Sequence, residues 1–178
     1  SFVTWVLFKA VNDGIRRLYF LARDGYFMYR SASILCKKLN IPVECRYLSC
    51  SRYSLRIPLF HIDEKEALGY ICSGGINVTL GKILSRAGLS ADERHIVEKV
   101  LDAPFKADDI IPDDKLSDIR RRLENCGEFL KYMKRRSRAA APDLYGYFKQ
   151  EGLTQNTPYA FVDSGWTGSM QKFLNMAL

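Results

Sequence analysis

The ten residues 16–25, RRLYFLARDG, decide the fold class of this chain. The first seven are mostly apolar and aromatic over the length of a buried strand, and Arg23-Asp24-Gly25 is a turn sequence. The pattern then predicts a helix over 26–39, which Asn40 and Pro42 end, and a second strand over 43–49. Strand, turn, helix and strand form a βαβ unit. The sequence therefore predicts a parallel sheet whose ligands bind beyond the carboxyl ends of the strands.

The same order of elements returns near the end of the chain. Residues 159–162 predict a strand that ends at Asp163, a turn with two glycines follows over 164–168, and residues 169–177 predict a helix. Before the first strand, residues 2–12 carry apolar side chains at helical spacing, and Gly14 is a stop signal. The predicted strands are thus preceded along the chain by one helix and followed by another.

The middle of the chain predicts helices and no comparable strand. A long basic helix is expected over 116–137 and a shorter one over 142–151, because proline is common at the first position of a helix. We therefore predict a single α/β domain over 1–178, three-layered and Rossmann-like, with a short and mainly parallel sheet. Residues 55–157 would be a helical insertion between the first βαβ unit and the last strand.

The composition is that of a folded chain. Of 178 residues, 47% are hydrophobic and 26% charged, which excludes a disordered protein. No apolar run reaches the roughly 18 residues of a membrane-spanning helix, and the charges near the start do not fit a signal peptide. Five cysteines without a CxxC pair predict reduced thiols, so we expect a cytoplasmic protein. The abrupt apolar start suggests a fragment, with other domains of a longer chain as partners.

Most of the positive charge lies in one stretch. The chain has a formal net charge of +7, and residues 120–138 alone carry eight Lys or Arg against two Glu, a net +6. This pattern predicts either the solvated face of a helix or a surface that docks a partner domain or an acidic membrane surface. Nucleic acid is the less favoured partner. The net charge therefore says little about a small ligand elsewhere.

Two aspartates stand at equivalent places in the pattern. Asp24 and Asp163 each end an apolar strand and precede a glycine turn and a helix, so both are predicted at the carboxyl edge of the sheet. There they would act as catalytic residues, by orienting sugar hydroxyls or by holding Mg²⁺. The alternative is that both are helix caps or turn residues without a ligand.

The residues around these aspartates predict a phosphate site. Arginine offers a forked donor, glycine lets the backbone approach a phosphate closely, and hydroxyls and helix amides add further donors. Trp166 is predicted to form a stacking surface for a sugar or base, or else to fold its side chain onto the core. Arg52 is predicted to bind an anion, or else to be a helix residue that faces solvent. The predicted ligand-binding residues are Arg23, Gly25, Arg52, Ser164, Gly165, Trp166, Thr167, Gly168 and Ser169. Cys50 is not predicted as a nucleophile, because neither histidine is placed to activate it.

Three segments carry a resemblance to a known group of proteins. Residues 19–28 (YFLARDGYFM), 47–52 (YLSCSR) and 162–171 (VDSGWTGSMQ) resemble the region that follows the haloacid-dehalogenase-like domain in large bacterial proteins of surface-polysaccharide loci. Those proteins are described as predicted hydrolases or linked to glycosyltransferases. A phosphatase of that class needs Asp-x-Asp, whereas Tyr26 stands two places after Asp24 and Gly165 two places after Asp163. The resemblance therefore implies a bacterial context in which any phosphatase chemistry lies outside these residues.

A weaker similarity links the chain to type I phosphoribosyltransferases. Residues 22–25 are similar to the Arg-Gly-Gly-like loop that follows an early strand in that family, and residues 163–169 are similar to its acidic, Thr-Gly-containing phosphate loop. Ser164 stands where that family has a second acid, and the long helical segment is not typical of it.

These observations together predict a domain that binds a phosphorylated sugar or a nucleotide-sugar in surface-polysaccharide synthesis. If it is an enzyme, we expect a transferase or hydrolase acting on such compounds. The alternatives are a non-catalytic module that docks a partner through residues 116–137, and an enzyme similar to phosphoribosyltransferases.

Overall fold

The computed structural model describes residues 1–165 and 169–178, with Ser169 described by its backbone alone. The strands are β1 (Arg17–Leu21), β2 (Glu44–Leu48) and β3 (Tyr159–Val162). The helices are α1 (Phe2–Asn12), α2 (Gly25–Leu39), α3 (Arg52–Arg56), α4 (Glu64–Ile71), α5 (Leu80–Arg86), α6 (Ala91–Val100), α7 (Leu116–Glu124), α8 (Gly127–Gln150) and α9 (Ser169–Ala177). Short 3₁₀ turns cover Ile57–Leu59 and Asp113–Lys115.

The sheet is small, open and entirely parallel. Its strand order is β2-β1-β3, with Leu21 opposite Leu48 and Phe20 opposite Val162. All five residues of the central strand β1 are buried, as expected for a parallel strand covered on both faces. The predicted α/β, Rossmann-like class with a short parallel sheet is confirmed.

Each face of β1 packs against different elements. Leu18 and Phe20 belong to a core that includes Leu7 of α1 and Ala32 of α2. Tyr19 points to the other face, where its hydroxyl donates a hydrogen bond to the carbonyl of Glu151 at 2.6 Å. The chain just after α8 therefore covers the face opposite α1 and α2.

A buried arginine fixes the amino end of β1. The guanidinium of Arg17 donates to Glu44 Oε2 at 2.6 Å, to the Gly152 carbonyl at 3.0 Å and to Gln155 Oε1 at 2.9 Å. Its side chain is only 8% exposed. One side chain thus joins β1, β2 and the turn after α8.

The chain forms two compact units, residues 1–52 with 146–178, and residues 53–145. The first contains the sheet. The second is helical, with one isolated antiparallel bridge between Thr79 and Ile110. The stretch that the sequence marks as an insertion, 55–157, overlaps the second unit, and its residues 146–157 belong to the first.

The prediction for the basic region is wrong in its helix boundaries. Instead of helices over 116–137 and 142–151, α7 ends at Glu124 and α8 continues through Pro142 to Gln150. One buried stripe runs the length of α8 and explains its continuity, since it passes Pro142 at helical spacings of three and four residues: Phe129, Met133, Ser137, Ala141, Leu144 and Phe148. In the described part of the chain, no helix is long and apolar enough to cross a membrane.

Candidate functional site

The carboxyl ends of the three strands meet at one edge of the first unit. Because β2 and β3 both pair with β1 in parallel, residues 22–25, 49–52 and 163–165 leave the sheet side by side. Open parallel sheets bind their ligands at this edge. The structure thus brings the segments that contain Asp24, Arg52 and Asp163 to the same edge.

Asp24 lies at the start of α2 and keeps its carboxylate available. It occupies the N-cap position with helical backbone angles, and its side chain makes no capping hydrogen bond. The residue is exposed, and within residues 1–165 and 169–178 its carboxylate has no hydrogen bond or ion pair. The Asp24 side chain therefore does not cap α2, which was the alternative to a ligand-binding role.

Gly25 has a packing role. A Cβ at this buried position would lie 3.0 Å from the carbonyl carbon of Phe20, so only glycine lets the start of α2 approach β1 so closely. The same closeness fixes Asp24 directly beyond the end of the strand. Its predicted contact with a phosphate stays a prediction.

Asp163 forms a turn at the end of β3. Its Oδ1 accepts a hydrogen bond from the Gly165 amide at 2.9 Å. A Cβ at Gly165 would lie 3.0 Å from Oδ2, so the half-buried carboxylate needs a glycine beside it. The turn role considered for Asp163 is thus present, and it occupies one carboxylate oxygen.

The pKa of the Cys50 thiol depends on groups that follow the other two strands. Burial raises the pKa of its thiol to about 11, and the Asp163 carboxylate contributes to the rise, whereas the backbone of Ala22 opposes it. A thiol on the β2 side is therefore affected by groups that follow β1 and β3. With this pKa it stays protonated at neutral pH, which agrees with the expectation that Cys50 is not a nucleophile.

Tyr147 is part of this edge and was missed by sequence reasoning. Its hydroxyl accepts a hydrogen bond from the Ser49 amide at 2.8 Å, which ties the last turns of α8 to the end of β2. Burial raises the pKa of Tyr147, so the phenol remains neutral. The buried stripe of α8 indicates that this end of the helix packs, but no sequence signal shows that Tyr147 reaches Ser49.

Two arginines supply positive charge at the edge. Arg23 and Arg52 are both exposed, and neither forms an ion pair within the described part of the chain. Arg52 is also the first residue of α3. Arg52 thus has the solvent-facing helical position that the sequence offers as the alternative, and the anion-binding role predicted for both arginines stays a prediction.

Aromatic side chains stand next to Asp24. Phe27, in the first turn of α2, is 79% exposed, and its ring lies 5.9 Å from that of Tyr26 in an edge-to-face arrangement. Tyr26 in turn contacts Tyr47 of β2 edge to face at 5.4 Å. A supported but exposed aromatic surface therefore adjoins the acidic residue.

The remaining predicted site residues lie beside or among the residues that the structure does not describe. Ser164 and Gly165 are exposed directly after β3. Trp166, Thr167 and Gly168 lie outside the described residues, and Ser169 begins α9. Their predicted roles stay predictions.

The residues that the sequence predicts as Mg²⁺ ligands are Asp24 and Asp163. Among the residues that the structure describes, no cluster of three or more His, Cys, Asp or Glu side chains could hold a metal ion. One or two carboxylates together with water and substrate phosphate are a common donor set for Mg²⁺. A metal site at Asp24 and Asp163 would therefore need the phosphate of a ligand to complete it, and the predicted Mg²⁺ stays a prediction.

The comparisons with known proteins place the chain in no family. No protein-family model matches it, and no curated protein is significantly similar to it.

Proposed function

We propose that the carboxyl edge of the sheet binds a phosphorylated sugar or a nucleotide-sugar. The observation that carries this proposal is the state of Asp24: an exposed carboxylate at the end of a buried strand, which caps no helix and pairs with no described residue. Folding alone gives no reason for a carboxylate to stand there. Such a carboxylate can accept hydrogen bonds from sugar hydroxyls.

The phosphate would be held by positive groups at the same edge. Arg23 and Arg52 can each make forked hydrogen bonds to phosphate oxygens. The amino end of the 15-residue helix α2 adds the positive end of the helix dipole. Asp24 and the second oxygen of Asp163 would orient hydroxyls, or would hold Mg²⁺ together with the phosphate.

The exposed aromatic surface supports a sugar or nucleotide as the ligand. Phe27 is 79% exposed beside Asp24, and large rings at such places stack against sugars and bases. The resemblance of residues 19–28, 47–52 and 162–171 to proteins of surface-polysaccharide loci supplies the biological context. In this proposal the domain serves a bacterial cytoplasmic protein with hydrolase or glycosyltransferase chemistry in surface-polysaccharide synthesis.

Docking through the basic region receives less support from the structure. Seven of its eight basic side chains form ion pairs within the second unit: Arg120 with Glu124, Arg121 and Arg122 with Asp118, Lys131 with Glu128, Lys134 with Glu64, and Arg135 and Arg136 with Glu93. The carboxylates of Glu64, Glu93 and Asp118 therefore neutralise half of the net +6 that the sequence places in this region. Arg138 is the exception within the described residues.

Calorimetric titration tests the proposal. Sugar phosphates and nucleotide-sugars are titrated, with and without Mg²⁺, into the wild type and into the double variant Asp24→Asn/Asp163→Asn. We expect at least about tenfold weaker binding in the double variant, since it loses charged hydrogen bonds to the ligand. A matched control, Asp114→Asn/Asp143→Asn, removes the same charge from exposed positions in the second unit and should bind as the wild type does. Equal affinity in all three proteins, or no binding by the wild type, would refute the proposal.

A further inference from the structure

Two of the five cysteines lie side by side in the first unit. The Sγ atoms of Cys36, on α2, and Cys45, on β2, are 3.8 Å apart, and both residues are half-buried against the core that includes Leu18 and Phe20. The other three cysteines, Cys50, Cys72 and Cys126, are buried. The pair therefore combines proximity with partial access to solvent, which none of the other cysteines does.

We propose that Cys36 and Cys45 form a site of reversible oxidation, at which a hydroperoxide such as hydrogen peroxide converts the two thiols into a disulfide. A disulfide has an S–S length of about 2.05 Å, so the sulfur atoms must approach by about 1.8 Å from their present 3.8 Å. A change of χ1 between staggered rotamers moves a cysteine sulfur by more than this distance. Side-chain rotation is therefore the movement by which the proposed bond would form.

The two thiols have different parts in the reaction. Burial and the neighbouring Cys36 raise the pKa of Cys45 to about 12, so Cys45 keeps its proton and we assign the attack on the peroxide to Cys36. The Cys45 S–H can then donate to the Cys36 thiolate, because the two sulfur atoms are within hydrogen-bonding distance. Cys36 is thus the attacking sulfur, and Cys45 is the resolving sulfur.

The reaction proceeds in two displacements. The Cys36 thiolate attacks one peroxide oxygen, the O–O bond breaks, and hydroxide leaves and takes up a proton, which gives a sulfenic acid and water. The Cys45 sulfur then attacks the sulfenic sulfur, the S–O bond breaks, and the leaving hydroxide takes the Cys45 thiol proton to form a second water. The two sulfur atoms supply the two electrons that reduce the peroxide. Dithiol reductants reverse the change.

The position of the pair gives the bond a structural consequence. Helix α2 begins directly after Asp24, and β2 leads to the segment that contains Arg52. A disulfide between Cys36 and Cys45 would tie these two elements together. This inference rests on the thiol geometry and is independent of the proposed function.

Thiol counting tests the proposal. The reduced protein is treated with hydrogen peroxide, freed of oxidant, unfolded and alkylated, and the number of alkylated cysteines is read from the intact mass. We expect the wild type to change from five alkylated cysteines to three, and to return to five after dithiothreitol. Peptide mapping should find a single link, between Cys36 and Cys45. Five alkylated cysteines after oxidation, or a link that involves another cysteine, would overturn the proposal.

Single variants separate the two roles. Cys36→Ser should keep all four of its remaining thiols, whereas Cys45→Ser should form a sulfenic acid at Cys36 that dimedone traps. Cys126→Ser is the control, and it should still lose two thiols to the disulfide. Loss of two thiols in Cys36→Ser would contradict the assignment. Where a variant fails to fold, peptide mapping of the oxidised wild type decides the question without it.

Discussion

The Asp163 carboxylate lies close enough to the Cys50 thiol to raise its pKa, although β1 separates their two strands in the sheet. This relationship spans the whole edge, since Cys50 follows β2 and Asp163 follows β3. The segments that follow β2 and β3 therefore interact electrostatically across the end of β1. A small ligand that contacts residues after one strand is then within reach of residues after the others.

Neutralising Asp163 should make Cys50 more acidic. In Asp163→Asn the pKa of Cys50 is expected to fall from about 11 by less than about one unit, because burial is the larger cause and remains. The measurement is the pH dependence of alkylation at Cys50, resolved from the other cysteines by peptide mapping. Asp143→Asn, on α8, is the control and should leave the profile unchanged. A rise in the pKa of Cys50 in Asp163→Asn would contradict the arrangement.

Alanine at Gly25 should destabilise the sheet unit. The new Cβ would lie 3.0 Å from the carbonyl carbon of Phe20, and backbone atoms cannot move away cheaply. We expect a loss of about 1–3 kcal/mol in the free energy of unfolding, measured by urea denaturation. Gly146→Ala is the control, since a Cβ there would meet no atom within 4 Å apart from the neighbouring backbone of its own helix, and alanine favours the helix. A Gly25→Ala protein as stable as the wild type would show that α2 does not pack so closely on β1.

Arg17 should contribute far more to stability than its neighbour Arg16. Replacing Arg17 by methionine removes its bonds to Glu44, Gln155 and the Gly152 carbonyl, while Arg16 is exposed. We expect Arg17→Met to cost about 2–4 kcal/mol in the free energy of unfolding and Arg16→Met less than about 0.5 kcal/mol. Urea denaturation of both variants measures the difference. Similar losses in the two would argue against the buried role of Arg17.

Glu93 should make the helical unit sensitive to acid. Burial alone would raise its pKa, but the Ser90 amide and the guanidinium groups of Arg135 and Arg136 outweigh burial and lower the pKa to about 2. A carboxyl with a lowered pKa stabilises the fold above its ordinary pKa of 4.5, and that contribution disappears as the pH falls toward about 2.

Glutamine at position 93 measures this contribution. We expect Glu93→Gln to lose about 2–3 kcal/mol in the free energy of unfolding at neutral pH, and the difference from the wild type to shrink between about pH 4.5 and about pH 2. Glu98→Gln, on the same helix, is the control and should show neither effect. A difference between wild type and Glu93→Gln that stays constant down to about pH 2 would exclude the ion pairs as its source. Urea denaturation at several pH values gives the answer.

Local patterns in the sequence were enough to predict the helices and strands of the first unit, which contains the sheet. The βαβ unit, the third strand and the ends of α1 and α2 follow from apolar runs of strand length, from helical spacing and from stop signals such as Asn40, which has a left-handed φ of 50°. These elements are specified by neighbours in the chain. The capping box that Ser90 and Glu93 form at the start of α6 is a signal of the same local kind.

The errors arose where distant contacts decide the structure. Proline at 142 indicates a helix start, but the buried stripe of α8 continues through it, and burial along 24 residues outweighs the local cost. Likewise, eight basic residues over 120–138 indicate a charged surface, but Glu64, Glu93 and Asp118 neutralise much of it. Glu64 and Glu93 lie far away in sequence, so no local pattern shows them.

Only part of the candidate site could be predicted, because one part follows from the strand order and the rest depends on tertiary packing. The rule that parallel strands end at one edge brings Asp24, Arg52 and Asp163 to the same edge from sequence alone. The packing role of Gly25 and the bond between Tyr147 and Ser49 depend on how close two elements approach. Such distances are set by tertiary packing and have no signature in the local sequence.

A backbone NMR titration tests the central claim most directly. Amide resonances are followed while a sugar phosphate, and separately a nucleotide-sugar, is added to the labelled protein. We expect the largest shifts on residues 22–25, 49–52 and 163–165, and little change in the second unit, residues 53–145. Largest shifts within 53–145, or no shifts at ligand concentrations up to the millimolar range, would contradict a ligand site at the carboxyl edge of the sheet.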